Sequence, residues 1–119
     1  MVERSFVMLK PDTIERKLIG RVITRFEEKG LTISALKMET VSSELSDAHY
    51  VEHLERSFYP DLKKYIMSGP VVAMIVEGES AITVIRKMVG VTNSAEAEPG
   101  SIRGDFGINT SFNIVHASD

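Results

Sequence analysis

Val71-Val72-Ala73-Met74-Ile75-Val76 is the most apolar run in the chain, and its length and β-branched content mark a central strand. Just before it, Ser68-Gly69-Pro70 stops a short helix predicted over Pro60 to Met67. Further upstream, Ser46-Asp47 reads as a helix start leading through His49 and Tyr50 toward His53. Leu31 to Val41 alternates, with Leu31, Ile33 and Ala35 set against Thr32 and Ser34, as a strand does. Ile19, Val22, Ile23 and Phe26 fall at helical spacing ahead of Gly30, which predicts a helix from Glu15 to Lys29 with a glycine stop. Ser5-Phe6-Val7-Met8-Leu9 is a short buried strand halted at Lys10-Pro11-Asp12. On the C-terminal side, Ala81, Ile82, Val84, Ile85 and Met88 make a helix that ends at Gly90. Val91 to Thr110 has no useful period and is interrupted by Pro99, Gly100, Gly104 and Gly107; loops that long in a compact domain are usually functional. Phe112-Asn113-Ile114-Val115-His116 reads as the last strand. The order β-α-β-α-α-β-α-loop-β is that of an α+β, ferredoxin-like (split βαβ) domain, a four-stranded antiparallel sheet with helices on its faces. Strand order within the sheet does not follow from the pattern. Such folds carry many chemistries, so function has to be argued from side chains.

Composition narrows the field. A chain of 119 residues and 13.2 kDa is one domain, here residues 1–119, and is long enough to bury a core unaided. With no cysteine, a disulfide scaffold, a Cys-based zinc site and a cysteine nucleophile are excluded. The balance of 14 basic and 17 acidic residues, net charge −3, speaks against non-specific attraction to nucleic acid or an anionic membrane. No apolar run approaches the ~20 residues that span a bilayer, and Met1-Val2-Glu3-Arg4 leads directly into a strand with no apolar signal region. The expectation is a soluble, cytoplasmic protein.

The chain has no G-x-x-x-x-G-K-[ST] loop, no G-x-G-x-x-G between strand and helix, no G-x-S-x-G elbow and no H-E-x-x-H, so those enzyme classes drop out. His49 and His53 lie four apart on one face of their predicted helix. A zinc site needs more ligands than two, so they read as partly exposed structural histidines. His116 ends an apolar strand and is followed by Ala117-Ser118-Asp119; alone, it reads as a structural surface residue. Lys10 at the end of the first strand, Arg86 near the end of a helix and Arg103 inside the long loop each read singly as solvated charges. Brought together with a histidine they would form a phosphate clamp around a nucleophile, since guanidinium groups hold phosphate oxygens bidentately and lysine acts as a point charge. Phosphoryl transfer needs mainly such positioning and charge stabilisation.

Asn113-Ile114-Val115-His116-Ala117-Ser118-Asp119 resembles N-x-x-H-[GA]-S-D, the active-site signature of the nucleoside diphosphate kinases. The likeness runs the length of the chain. Arg4 to Asp12 resembles that family's opening strand, and Ser68 to Met74 its central strand. Arg86 to Asn93 and Pro99 to Phe106 are similar to the two halves of its nucleotide-binding region. The resemblance implies a ping-pong transfer of the γ-phosphoryl of a nucleoside triphosphate to a nucleoside diphosphate, with His116 carrying it as phosphohistidine. It implies that Lys10, Arg86, Thr92 and Arg103 hold the nucleotide's phosphates, that Lys10 and Asn113 also reach the sugar, and that Tyr50 lies beside His116. Phe58 would stack on the base, a contact tolerant of any base because each has a π-face. Mg²⁺ would arrive with the triphosphate, held by phosphate oxygens and water, with no direct protein ligand and Asp119 touching its water shell. A homo-oligomer, hexamer or tetramer, is also implied.

Three positions depart from the family pattern. Ser94 and Ser57 stand where proline is usual, and Thr110 where an aliphatic residue is usual near the base. Family members also continue for a few dozen residues past the H-[GA]-S-D stretch, a part that carries a glutamate orienting the histidine and a helix that helps subunits pack. That leaves a second reading, a nucleotide-binding or assembly module with impaired turnover, separated from the kinase by whether phosphohistidine forms. A third reading, an RNA-binding module, needs aromatics on its central strands and a basic face; Val71 to Val76 has no aromatic.

Overall fold

The computed structural model describes residues 1–110 and 112–118. Strands β1 (Val2–Leu9), β2 (Thr32–Thr40), β3 (Pro70–Glu79) and β4 (Val115–Ala117) form one sheet in the order β2-β3-β1-β4, every neighbouring pair antiparallel. The apolar run from Val71 to Val76 is therefore interior to the sheet, as its composition predicts. Helices α1 (Pro11–Glu15), α2 (Ile19–Glu28), α3 (Ser43–His49), α4 (Tyr59–Ile66), α5 (Ala81–Val89) and α6 (Ile102–Phe106) connect the strands. No helix among the described residues is long and apolar enough to cross a membrane.

The sheet's two faces divide the core. Val7, Leu9, Val72, Met74, Val76, Val115 and Ala117 pack with Val22 and Phe26 of α2, Ala81, Ile85 and Val89 of α5, and Ile102 of α6. Phe26 has no solvent exposure; truncating such a ring to alanine costs ~3–5 kcal/mol. The opposite face is a smaller cluster of Met8, Val41, Ile66 and Val71, with Phe6, Tyr50 and Met67 against it. In β4, Val115 and Ala117 are buried in the larger cluster, so the period of two turns His116 to the other face, opposite Met8.

Several boundaries differ from the sequence expectation. The helix predicted from Glu15 to Lys29 starts later, at Ile19, and a separate short helix, α1, precedes it with Pro11 in its first turn. It ends with Lys17 at φ 60°, where the Lys17 and Leu18 N–H groups return to the carbonyls of Ile14 (3.1 Å) and Thr13 (2.9 Å). That is the Schellman pattern, and it recurs at Gly30, φ 96°, closing α2. The helix predicted to start at Ser46-Asp47 starts at Ser43, because the Ser42 hydroxyl accepts the Leu45 N–H at 3.1 Å. It stops at His49, and a separate 3₁₀ turn, Val51–His53, follows Tyr50, so His49 and His53 do not share one helix. The long loop holds α6, capped by the Ser101 hydroxyl on the Gly104 N–H at 3.0 Å; five residues are too few to show a period. The last strand is shorter than Phe112 to His116, for a reason that bears on the site.

Candidate active site

Ile114 stands at φ 74°, and the Val115 N–H returns to the Asn113 carbonyl at 2.8 Å. An i→i+2 bond about a residue of positive φ is a γ-turn, rare and strained. In a β-branched residue such a conformation costs on the order of 1–3 kcal/mol and persists only where neighbours over-determine it. Here they do. The Ile114 carbonyl accepts the Lys10 N–H (2.8 Å) and the Thr13 hydroxyl (2.6 Å), while its N–H donates to Asp12 Oδ2 at 3.2 Å. The turn keeps Asn113 out of the strand and delivers His116 two residues later.

Asn113 is buried and bridges two segments, its Oδ1 accepting from Lys10 Nζ at 2.7 Å and its Nδ2 donating to the Thr92 carbonyl at 2.9 Å. Arg103, also buried, donates to the carbonyls of Gly90 (3.0 Å), Val115 (2.7 Å) and Asn113 (3.4 Å). Arg86 donates to the Ala117 carbonyl at 3.0 Å. The loop, the last strand and α5 are thus gathered by guanidinium groups. Neither Lys10 nor Arg103 enters an ion pair among the described residues.

These groups border one cleft of about 690 Å³, within the range of small-molecule sites. His116, Lys10, Arg86, Arg103, Asn113 and Thr92 line it, and Tyr50 and Phe58 line it as well. Every sequence-predicted site residue but Asp119 therefore meets here; Asp119 lies outside the described residues. A larger groove of about 970 Å³ along α5 sets Arg86 and Lys87 against Glu96 and Glu98 and contains no histidine. It has no comparable cationic floor.

Burial and positive neighbours set the electrostatics. His116 is pushed down to about 4, first by desolvation and then by His49, Lys10, Arg103 and Arg86, so its imidazole is neutral at neutral pH with a lone pair to donate. Lys10 is lowered to about 8 by burial and by Arg103, against the opposing pull of Asp12. Burial and Arg86 bring Arg103 down to about 10. Burial raises Tyr50 to about 12, keeping its hydroxyl protonated.

Sequence reasoning set His49 aside as structural, yet it lines the cleft against His116. Glu52, His53, Asp61, Leu62 and Thr110 also line the cleft, and the His53 ring lies 5.4 Å from that of Phe58. Phe58 precedes α4, and Asp61 and Leu62 follow at i+3 and i+4, a helical spacing that was available in the sequence.

A neutral, partly buried histidine that shares a cleft with a lysine and two arginines, on a ferredoxin-like sheet, defines a domain that handles phosphate esters. The family described as nucleoside diphosphate kinase matches residues 3–119, and the chain belongs to it. It is 56% identical over 118 residues to the nucleoside diphosphate kinase of Methanothermobacter thermautotrophicus, covering 99% of this chain and 79% of that one. With that of Archaeoglobus fulgidus the identity is 57%, over 99% and 78%. The structure of the Halobacterium salinarum nucleoside diphosphate kinase in complex with CDP superposes with a TM-score of 0.98 at 44% identity, over all of this chain and 78% of that one. The activity that follows is phosphoryl transfer between nucleoside triphosphates and diphosphates. Identity at this level along the whole chain favours the kinase over the module with impaired turnover.

Proposed function

We propose that His116 is the nucleophile of this kinase and that Lys10, Arg86, Thr92 and Arg103 bind the nucleotide's phosphates. A neutral imidazole nitrogen attacks the γ-phosphorus; the N–P bond forms as the bond to the β,γ-bridging oxygen breaks, and the diphosphate leaves with the electron pair. An incoming diphosphate then attacks the phosphohistidine and regenerates the imidazole. The cations stabilise charge spread over the phosphoryl oxygens, and burial strengthens the effect of Lys10 and Arg103. Arg103 retains N–H groups for this purpose, since three of its bonds go to backbone carbonyls out of five donors. Lys10 and Asn113 reach the sugar, Tyr50 lies beside the transferring phosphoryl, and half-exposed Phe58 stacks on the base.

The observation that carries this reading is the convergence of Lys10, Arg86 and Arg103 on His116 in one cleft. Among the described residues no group of three or more His, Asp or Glu side chains could hold a metal. Mg²⁺ would enter as part of the nucleotide substrate, held by phosphate oxygens and water. The homo-oligomer, hexamer or tetramer, draws support from Leu36 and Met38, 54% and 55% exposed on edge strand β2, an apolar surface suited to a second copy; sedimentation velocity tests it. The cytoplasm is the proposed location, to be tested by fractionation.

Single-turnover labelling decides the mechanism. The chain is mixed with γ-labelled ATP and Mg²⁺ without acceptor, then chased with GDP. Acid-labile, base-stable label that moves to GTP is the expected result; nucleotide bound without label would overturn it.

A further inference from the structure

Asp12 is buried, 5% exposed, in the first turn of α1, and the transfer chemistry assigns it nothing. Its Oδ2 accepts the Ile114 N–H at 3.2 Å, and its Oδ1 accepts the hydroxyl of Tyr65. That hydroxyl also takes the Asp12 backbone N–H at 3.4 Å, so Tyr65 grips the aspartate from both sides. Tyr65 lies in α4, two helical turns beyond Phe58 and on the same side of the helix. Its ring meets that of Phe112 edge-on, centroids 5.0 Å apart, and Phe112 adjoins Asn113. A continuous set of contacts therefore runs from α4 through Tyr65 and Asp12 to the γ-turn at Ile114.

The N–H of Ile114 has no ladder partner, because β4 begins one residue later. Ile114 is fully buried, so without the carboxylate this N–H would be left unsatisfied away from water. Lys10 and Thr13 hold the carbonyl side of Ile114; Asp12 alone, among the described residues, holds the amide side. Relaxation of the turn would swing Asn113 away from Lys10 and Thr92 and let β4 shift against β1.

We propose that Asp12, clamped by Tyr65, is a positioning residue that keeps the Ile114 turn in its strained shape and so sets how His116 and Asn113 enter the cleft. The proposal rests on the kinase reading for its kinetic consequence, while its geometric content stands apart from turnover.

The test uses Asp12→Asn, which is isosteric, and Tyr65→Phe, which keeps the carboxylate and removes only the clamp. At saturating ATP, Asp12→Asn is expected to slow phosphohistidine formation by about 10- to 100-fold, as sub-ångström misplacement of a reacting group does. Its KM should rise by a smaller factor than the rate falls, because Asn113 is one of several nucleotide contacts. Tyr65→Phe slows the same step by less, and the double variant is no slower than Asp12→Asn, because the two act as one unit. Wild-type rates in both single variants, losses confined to KM, or additive losses would overturn the proposal. If Asp12→Asn does not fold, Tyr65→Phe decides. Should the unaltered chain form no phosphohistidine, the kinase reading fails and NMR judges this proposal separately. The Ile114 amide and His116 ring resonances should move in both variants, and unmoved resonances overturn it.

Discussion

The imidazole of His49 meets that of His116 edge to face, with ring centroids 4.9 Å apart and planes at 79°. Two protonated rings at that distance would repel, and Lys10 disfavours a proton on either one. Desolvation first, and these positive neighbours after it, hold both rings toward the neutral form.

NMR titration should accordingly find His116 changing charge near pH 4, well below the ordinary histidine value of about 6.5. His49→Ala should move it upward, because both solvent shielding and a positive neighbour are lost. Titration of the unaltered residue near its ordinary value would refute the assignment. The sign for stability follows from linkage. Between about pH 6.5 and 4 the unfolded chain holds the His116 proton and the folded chain does not, so stability falls as pH drops through that window. Thermal melts of His116→Asn should show a shallower decline from pH 7 to 5.

Lys10 sets an alkaline limit. With its ammonium held to about 8 in the free protein, kcat/KM should decline above about pH 8, since that ratio reports groups of the free enzyme. Lys10→Arg should shift the limb upward, because guanidinium stays charged. A flat profile to about pH 9.5 would remove Lys10 from the phosphate-binding role.

Arg103 is a structural strut, and the proposed phosphate clamp would use the same guanidinium. Its donors hold the carbonyls of Gly90, Asn113 and Val115, so Arg103→Ala should cost more than about 2 kcal/mol of stability by leaving buried acceptors unpaired. It should also lose more in transfer rate than in nucleotide affinity. Arg103→Lys, lacking the planar fork, should fail to restore either. Calorimetric unfolding and steady-state kinetics on the two variants check both halves.

Ser94 and Gly107 form a tight contact in the long loop. A Cβ at Gly107 would lie 1.9 Å from the Ser94 hydroxyl, so Gly107→Ala should destabilise by about 1–3 kcal/mol, partly relieved by Ser94→Gly. The Ser94 hydroxyl is buried with no partner among the described residues. Ser94→Ala should therefore stabilise by about 1 kcal/mol. Denaturant melts of the four proteins test the set, and an unstabilised Ser94→Ala would mean the hydroxyl is satisfied by water.

Much of this protein was legible in its sequence, and the rest was not, for physical reasons. Strands such as Val71 to Val76 and helices such as Ala81–Val89 declare themselves through period and composition, which are local properties of the chain. The signature around His116 and the cations at Lys10, Arg86 and Arg103 were legible as motifs, so the family and its chemistry followed from the sequence alone. The break at Lys17 was not, since a left-handed residue other than glycine or asparagine leaves no compositional mark. Neither was the role of His49, whose distance from His116 depends on how α3 packs over the sheet. The strained turn at Ile114 lay furthest from view. Isoleucine is a strand former by propensity, and only the long-range bonds from Lys10, Asp12 and Thr13 hold it at positive φ. What the sequence determined by itself was the inventory of chemical groups and the elements that carry them. The tertiary structure decided which of those groups share one cleft, and burial there holds the His116 imidazole neutral among cations well below the ordinary histidine range.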